Sequence, residues 1–325
     1  MENSKTQKKD IPGLFALKAL CALFVVIIHV PFMGKYTLAP IIRIAVPCFF
    51  MISGFFLYSG NAQAETTKAW KWVKKAFVLA FFINLFYFLI FSILGNFNII
   101  SFIKSFITGD SVSVHLWYLT ALWQGLILFI LTRKYLNPHV IHLIPLLAFI
   151  NLLIGRYFFI FDNGEYSLPQ YARLNCIAVA LPYIYVGYLL KKYNQIFCGT
   201  FKWAILSLLF IICIYMEEHI LNALSLNNTV SYSLFTLPVA ICIFLFFLKG
   251  IKSVPFYIVQ IGKKHSANIY YFHIFISMIT GVLIEKIGLA GALSPVKALI
   301  VYVACIVFSQ IIIITMNKVR LTQRA

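Results

Sequence analysis

Charged side chains are scarce in this sequence, and acidic ones are the scarcest. Of the 325 residues 11% are charged, with nine aspartates and glutamates against 27 lysines and arginines, while 62% are hydrophobic. This excludes a soluble globular protein, which needs more polar surface to face water. The composition indicates a polytopic membrane protein, and the aromatic share of 17% fits the belts of aromatic rings found at membrane interfaces.

Paired cysteines are also missing. The seven cysteines stand singly, mostly among apolar neighbours and without CxxC or Cys/His spacing, at Cys21, Cys48, Cys176, Cys198, Cys213, Cys242 and Cys305. We expect them to be small packing residues, so the pattern excludes a disulfide framework, and we predict no metal site.

No small-residue cleavage site follows the first apolar run, which is therefore expected to be a transmembrane helix and not a removed signal peptide. Ten apolar runs approach membrane-spanning length, near residues 12–31, 40–59, 72–94, 115–132, 140–155, 174–190, 202–216, 231–248, 265–284 and 297–316. The fifth and seventh are the shortest. We predict an all-α bundle of about ten transmembrane helices that forms a single domain over residues 1–325.

The cations are distributed unevenly between the loops. With the N-terminus placed in the cytoplasm, 19 of the 27 lysines and arginines fall on the cytoplasmic side and seven outside, with Lys18 in the membrane. The positive-inside rule then predicts that both termini are cytoplasmic. The net charge of +18 follows from this topology and from attraction to anionic lipids, so membrane lipids are expected partners and nucleic acid is not.

Ionisable residues lie inside apolar sequence between Lys18 and Tyr58. Lys18 and His29 are eleven residues apart, which on a helix is about three turns and roughly 16 Å, and their side chains fall within about 20° of one face. Arg43 follows in the next apolar run. Such groups are costly in hydrocarbon and usually bind or react there, and imidazole is well suited to accept a hydroxyl proton near neutral pH. A packing histidine is the competing interpretation for His29 alone.

For other polar residues, a purely structural role competes with a functional one. Lys71 and Lys74, beside Trp70 and Trp72, are either anchors at the membrane interface or a phosphate-binding pair. The second role is possible because residues three apart share a helix face. Four acidic residues are interpreted as outer-loop residues and not as catalysts: Asp162, Glu165, Glu217 and Glu218.

Five motifs follow one another along nearly the whole chain. They are Lys18-x10-His29, RIAVPCFFMISGFFL from Arg43 to Leu57, HLWYL from His115 to Leu119, LPYIYVGYLL from Leu181 to Leu190, and Ile261-Gly262 with Ser266-x3-Tyr270-x2-His273. In this order they resemble membrane acyltransferase family 3. The second and the last motif are the most specific.

The resemblance implies an integral membrane enzyme that passes an acyl group, usually acetyl from cytoplasmic acetyl-CoA, to a hydroxyl of a cell-surface or exported glycan. His29 takes the place of the family's proposed catalytic histidine, and Arg43 is assigned to orient its partner or stabilise an oxyanion. Lys18, Lys71 and Lys74 are assigned to donor binding. The family has arginines at these places, and lysine keeps the charge but loses the bidentate geometry.

The remaining assignments complete this hypothesis. An acceptor or secondary site is assigned to Ser53, His115, Trp117, Arg173, Tyr270 and His273. Acetyl-CoA is expected as a co-substrate with no permanently bound cofactor, the acceptor as a glycan or lipid-linked glycan, and the location as the cell membrane, taken to be a bacterial plasma membrane.

Two other function classes remain open. A transporter or flippase would use the same buried cations to bind an anionic substrate without making a bond, although no inverted repeat is visible. A sensing or scaffold protein would have kept the fold and lost catalysis. Release of free CoA from the donor would distinguish the enzyme from both.

Overall fold

The computed structural model describes residues 10–95, 99–108, 112–158, 172, 174–224, 226 and 232–322. Within these ranges the chain is helical and contains no β-strand, which confirms the predicted fold class. The α-helices are α1 (Pro12–His29), α2 (Lys35–Ile42), α3 (Ala45–Leu57), α4 (Ala62–Ile93), α5 (Ile99–Thr108), α6 (Trp117–Tyr135), α7 (Ala148–Ile154), α8 (Leu181–Lys192), α9 (Phe201–Ala223), α10 (Thr236–Leu245), α11 (Phe256–Gln260), α12 (Ser266–Lys286), α13 (Ala290–Leu293) and α14 (Lys297–Thr322).

Short turns of tighter or wider helix extend several of these elements. Turns of 3₁₀-helix cover Val114–Leu116, Val140–Leu147 and Ser294–Val296, and turns of π-helix cover Cys176–Ala180, Phe246–Gly250 and Ile261–His265. The last of these leads directly into α12. Wide turns of this kind often mark functional sites, because they shift the register of the side chains that follow.

Seven segments of the described chain are long and apolar enough to cross a membrane: Pro12–His29, Lys35–Leu57, Ala62–Ile93, Val114–Tyr135, Phe201–Ala223, Phe256–Lys286 and Ala290–Val319. Shorter apolar helical segments at Val140–Ile154 and Thr236–Gly250, with the helical turns from Cys176 to Lys192, occupy the other three predicted positions. The predicted bundle of about ten helices is therefore confirmed. The side of the membrane that the termini face stays a prediction.

Two helices extend well beyond the apolar runs that predicted them. Helix α4 begins at Ala62 and not near residue 72, because Asn61 caps it: the Asn61 side chain accepts a hydrogen bond from the Ala64 amide at 3.0 Å. Helix α9 runs from Phe201 to Ala223 and continues past the predicted end at residue 216. The interpretation of Glu217 and Glu218 as outer-loop residues was wrong, since both lie in the last turns of α9.

These two carboxylates are tied to a buried arginine. Arg156 is 1% exposed, and its guanidinium nitrogens lie 2.6 Å from a Glu218 oxygen and 3.6 Å from a Glu217 oxygen. Burial and the neighbouring Glu217 raise the pKa of Tyr157 to about 12, which keeps its hydroxyl protonated. A buried charge is tolerated only when it is paired, so this contact fixes α9 to the segment that follows α7.

The second predicted helix is interrupted at Arg43 and Ile44, between α2 and α3. Pro47 accounts for the break, because proline has no amide hydrogen to donate to the carbonyl of Arg43, four residues earlier, and its ring crowds that carbonyl. The break places Arg43 at the end of a helix in the bundle interior, instead of on a continuous helix face.

Helices α3 and α8 approach each other more closely than side chains usually allow. A Cβ atom built on Gly54 would lie 1.8 Å from the Ile184 carbonyl oxygen, and one built on Gly187 would lie 1.8 Å from the Met51 carbonyl oxygen. The contact is reciprocal, with a glycine of each helix facing the backbone of the other. Small residues at helix interfaces are a common way to pack helices in membranes.

Replacing either glycine with alanine should push α3 and α8 apart. We expect Gly54→Ala and Gly187→Ala to destabilise the protein by roughly 1–3 kcal/mol, because the atom in the way is backbone and cannot rotate aside. The measurement is the melting temperature of the purified protein in detergent. Gly291→Ala is the matched control, since nothing lies within 4 Å of its Cβ position. Equal melting temperatures for Gly54→Ala and Gly291→Ala would contradict the close approach.

Candidate functional site

Two cavities lie one after the other along α1. The first, here called the lysine cavity, has a volume of about 330 Å³ and lies between α1, α3, α4, α6 and α12. Lys18 and Lys75 supply positive charge to its wall, and Ser53, Tyr118 and Tyr270 supply hydroxyl groups. None of its described lining residues is acidic. The cavity is therefore suited to an anionic guest with an apolar arm.

The second, here called the histidine cavity, has a volume of about 150 Å³. Its polar and aromatic lining residues are His29, Arg43, His115, Trp117, Tyr232 and Tyr270. Lys18 and His29 therefore line different cavities, in keeping with the eleven residues of α1 that separate them. The polar residues on an otherwise apolar wall give this cavity the character of a binding site for a small polar group.

Three histidines from separate parts of the chain meet beside the histidine cavity. The ring centroids of His29 and His273 are 5.3 Å apart, those of His115 and His273 are 4.7 Å apart, and those of His29 and His115 are 6.1 Å apart. His29 comes from the end of α1, His115 from the turn before α6, and His273 from α12. We call them the histidine cluster. In the described ranges no group of three or more His, Cys, Asp or Glu side chains is arranged to hold a metal ion.

The hydrogen bonds of His115 use both ring nitrogens. Its Nε2 lies 3.4 Å from the carbonyl oxygen of Tyr271, which can only accept, so Nε2 carries the hydrogen. Its Nδ1 then accepts from the Ser113 hydroxyl at 2.9 Å. The Tyr87 ring packs edge-on against His115 at 5.1 Å, and the Tyr87 hydroxyl donates to the same Tyr271 carbonyl at 2.8 Å. His115 is therefore fixed in place and has no nitrogen free for proton transfer.

His273 is only half engaged. It is completely buried, and its Nδ1 donates to the carbonyls of Tyr270 at 2.9 Å and Ile269 at 3.2 Å. This leaves the lone pair on Nε2, which has no hydrogen-bond partner among the described residues. A buried polar atom without a partner is costly, and such atoms usually serve a function. The Nε2 atom of His273 is thus available to accept a hydrogen from a neighbour such as His29.

His29 is the accessible member of the cluster. It lines the histidine cavity, and its ring forms no hydrogen bond to any other residue that the structure describes. Both nitrogens are therefore free to exchange a proton with a group in the cavity. Among the three histidines, His29 alone combines access to the cavity with a free ring, which is what a general base requires.

The other predicted site residues are distributed as follows. Ser53 lines the lysine cavity, Trp117 lines the histidine cavity, and Tyr270 lines both. Lys71 and Lys74 are exposed on α4 and do not line either cavity. Arg173 lies outside the described residues.

Several residues of the site escaped the sequence interpretation. Lys75 is the lysine of α4 that lines the lysine cavity. It directly follows Lys74 in the sequence, but the two side chains lie on different faces of the helix. Ser113 stands two residues before His115, a spacing that often joins a serine to a nearby side chain or amide. No sequence signal marks Tyr87 or Tyr232, which reach the site through tertiary packing.

Comparison with known proteins gives one match. A family model described as an acyltransferase domain, that of acyltransferase family 3, matches residues 11–314. No curated protein and no solved structure matches the chain.

The different environments of the three histidines predict different chemical reactivity. Diethyl pyrocarbonate modifies unprotonated, accessible imidazole nitrogens, so we expect it to modify His29 well before His115 or His273. The measurement is the rate of carbethoxylation of each residue, followed by mass spectrometry of the protein in membranes. The exposed His139 serves as the reference for a freely reacting ring. Modification of His115 at the rate of His29 would contradict the assigned hydrogen bonds.

Proposed function

The chain belongs to acyltransferase family 3, and on that premise we propose that it transfers an acetyl or other short acyl group from acyl-CoA to a hydroxyl of a cell-surface or exported glycan. The observation that supports this proposal is that two cavities of different character lie one after the other along α1. A cationic cavity suited to the donor adjoins the histidine cavity at Tyr270, and the histidine cavity is lined by His29, whose ring nitrogens are free.

The donor would occupy the lysine cavity. Acyl-CoA carries several phosphate charges on one end and the thioester on a long, largely apolar arm. Lys18 and Lys75 would attract the phosphates as point charges, since lysine lacks the bidentate geometry of arginine. The arm would extend past Ser53 and Tyr118 towards Tyr270. Lys71 and Lys74, exposed on the same helix as Lys75, would bind the part of the nucleotide outside the cavity.

The acceptor would enter the histidine cavity. Trp117, Tyr232 and Tyr270 present aromatic rings there. The apolar faces of sugars pack against such rings, and the polar groups at the edges of the rings can bond sugar hydroxyls. Arg43 adds a cation to the same wall. Because the basic ends of the helices face the cytoplasm under the positive-inside rule, this cavity would serve an acceptor on the outer side.

The chemistry follows from the free nitrogens of His29. His29 would remove the proton of the acceptor hydroxyl as its oxygen attacks the thioester carbonyl, and Arg43 would stabilise the negative charge on the carbonyl oxygen. The carbon–sulfur bond then breaks, and the proton passes from His29 to the CoA thiolate. The Nε2 atom of His273 would accept a hydrogen bond from the imidazolium of His29. Transfer through an acylated His29 satisfies the same geometry, and it differs in releasing CoA before the acceptor reacts.

The test of the proposal is acyl transfer from radiolabelled acetyl-CoA in membranes that contain the protein. We expect release of free CoA together with a labelled, alkali-sensitive ester on a glycan or lipid-linked glycan. A transporter or scaffold protein would release no CoA. Membranes with His29→Ala protein, matched for abundance, supply the background.

Replacing His29 should remove the activity without removing the protein. We expect His29→Ala to lower the rate by about 100-fold or more, since a positioned general base typically contributes 10²–10⁴-fold. His142→Ala is the control, because His142 bonds Tyr193 at 2.8 Å and lines neither cavity. Near-normal rates in His29→Ala membranes would rule out its role as base.

The lysines should act on donor binding more than on the chemical step. We expect Lys18→Ala and Lys75→Ala to raise the acyl-CoA KM roughly ten- to a hundredfold with little change in kcat, because contacts to phosphate are made equally before and during the reaction. Lys71→Ala and Lys74→Ala should have smaller effects, since neither side chain lines the lysine cavity and both charges are screened by salt. The measurement is CoA release against donor concentration for each variant. A KM unchanged in both Lys18→Ala and Lys75→Ala would place the donor elsewhere.

A further inference from the structure

Tyr270 belongs to both cavities. Of the described lining residues, it is the one that the lysine cavity and the histidine cavity share. Ser266, Ala267 and Tyr271 of the same helix also line the lysine cavity, and His273, three residues after Tyr270, packs against His29. The Tyr270 side chain therefore lies where a ligand in one cavity would contact a ligand in the other.

The Tyr270 ring is held firmly in this position. The residue is 4% exposed, and its hydroxyl donates a hydrogen bond to the backbone carbonyl of His115. Its ring packs edge-on against Tyr118 at 5.1 Å and against His115 at 5.7 Å. Tyr118 lines the lysine cavity, and His115 lines the histidine cavity. One hydrogen bond and two ring contacts thus fix the ring at the junction.

We propose that Tyr270 is a specificity-determining residue, whose ring limits the length of the acyl group that reaches His29 and separates the donor from water until the acceptor is bound. The proposal rests on the proposed acyl transfer. A thioester that approaches through the lysine cavity meets this ring before it reaches the histidine cluster. The acyl group must lie beyond the ring when its carbonyl carbon is attacked.

The volumes of the cavities predict a preference for short acyl chains. The histidine cavity, of about 150 Å³, must hold both the acyl chain and the attacking hydroxyl, whereas the lysine cavity, of about 330 Å³, holds the arm of the donor. Each additional methylene takes space from the acceptor. A pocket that discriminates single methylenes typically does so by about tenfold or more.

The ring also accounts for how water is excluded. If the two cavities joined freely, water from the histidine cavity could attack the thioester, with His29 as base, to give the free carboxylic acid and CoA. A closed junction prevents this loss in the absence of acceptor, since excluding water from a reactive group suppresses its hydrolysis. The hydroxyl bond to the His115 carbonyl is the contact that keeps the ring closed.

The test compares acetyl-CoA with butanoyl-CoA as donors in membranes that contain the wild-type, Tyr270→Leu or Tyr270→Phe protein. We expect Tyr270→Leu to raise the ratio of butanoyl to acetyl transfer by about tenfold or more. We expect Tyr270→Phe, which keeps the ring and loses the hydroxyl bond, to retain the wild-type ratio but to release more CoA when no acceptor is present.

Tyr302→Leu is the matched control. Tyr302 also stands on a membrane helix and donates its hydroxyl to a backbone carbonyl, that of Ala19 at 3.0 Å, but it lines neither cavity. The Tyr302→Leu variant should leave the ratio of butanoyl to acetyl transfer unchanged.

The outcomes separate this inference from the function on which it depends. If the wild-type protein releases no CoA from either donor, the proposed function fails. If it transfers acetyl groups and Tyr270→Leu keeps the wild-type ratio, the role of Tyr270 is overturned and the transferase remains. If Tyr270→Leu does not accumulate in the membrane, Tyr270→Phe decides, and unchanged acceptor-independent CoA release in that variant overturns the proposal.

Discussion

The cost of placing ionisable side chains inside a membrane is the constraint on which this structure depends. Each imidazole nitrogen in the bundle interior either forms a hydrogen bond or costs free energy of folding because it is left without one. His115 meets the requirement fully, through Ser113 and the Tyr271 carbonyl, and His273 meets it in part. His29 lies in a cavity and forms no such bond within the described chain. Three residues of one type thereby acquire three different roles.

The helices around the cluster are arranged to keep this difference. Helix α12 carries Tyr270, Tyr271 and His273 within four residues, so that its backbone accepts hydrogen bonds from His115 and Tyr87 while the His273 side chain reaches His29. Helix α1 runs beside it and connects the lysine cavity with the histidine cavity. Rigid helices hold reacting groups more precisely than loops do, and this precision is what general acid–base chemistry requires.

The sequence predicted the fold well and the site in part. Apolar runs revealed the helices, but hydropathy could not show that Asn61 starts α4 early or that Glu217 and Glu218 at the end of α9 pair with a buried arginine, because both depend on polar contacts. The motifs identified His29, His115 and His273 separately. Their convergence depends on tertiary packing between distant segments, which residue spacing does not contain. Likewise, the three lysines Lys71, Lys74 and Lys75 are all exposed, and only the tertiary packing around the lysine cavity distinguishes Lys75 from the other two.

The proposed acyl transfer requires the donor thioester to reach His29 through the lysine cavity. Its most direct test is a structure of the protein bound to a non-hydrolysable acetyl-CoA analogue, determined in a lipid nanodisc. We expect density for the phosphates beside Lys18 and Lys75, for the arm along Ser53 and Tyr118, and for the acetyl group at Tyr270, next to His29. An analogue bound with its acetyl group away from the histidine cluster would contradict it.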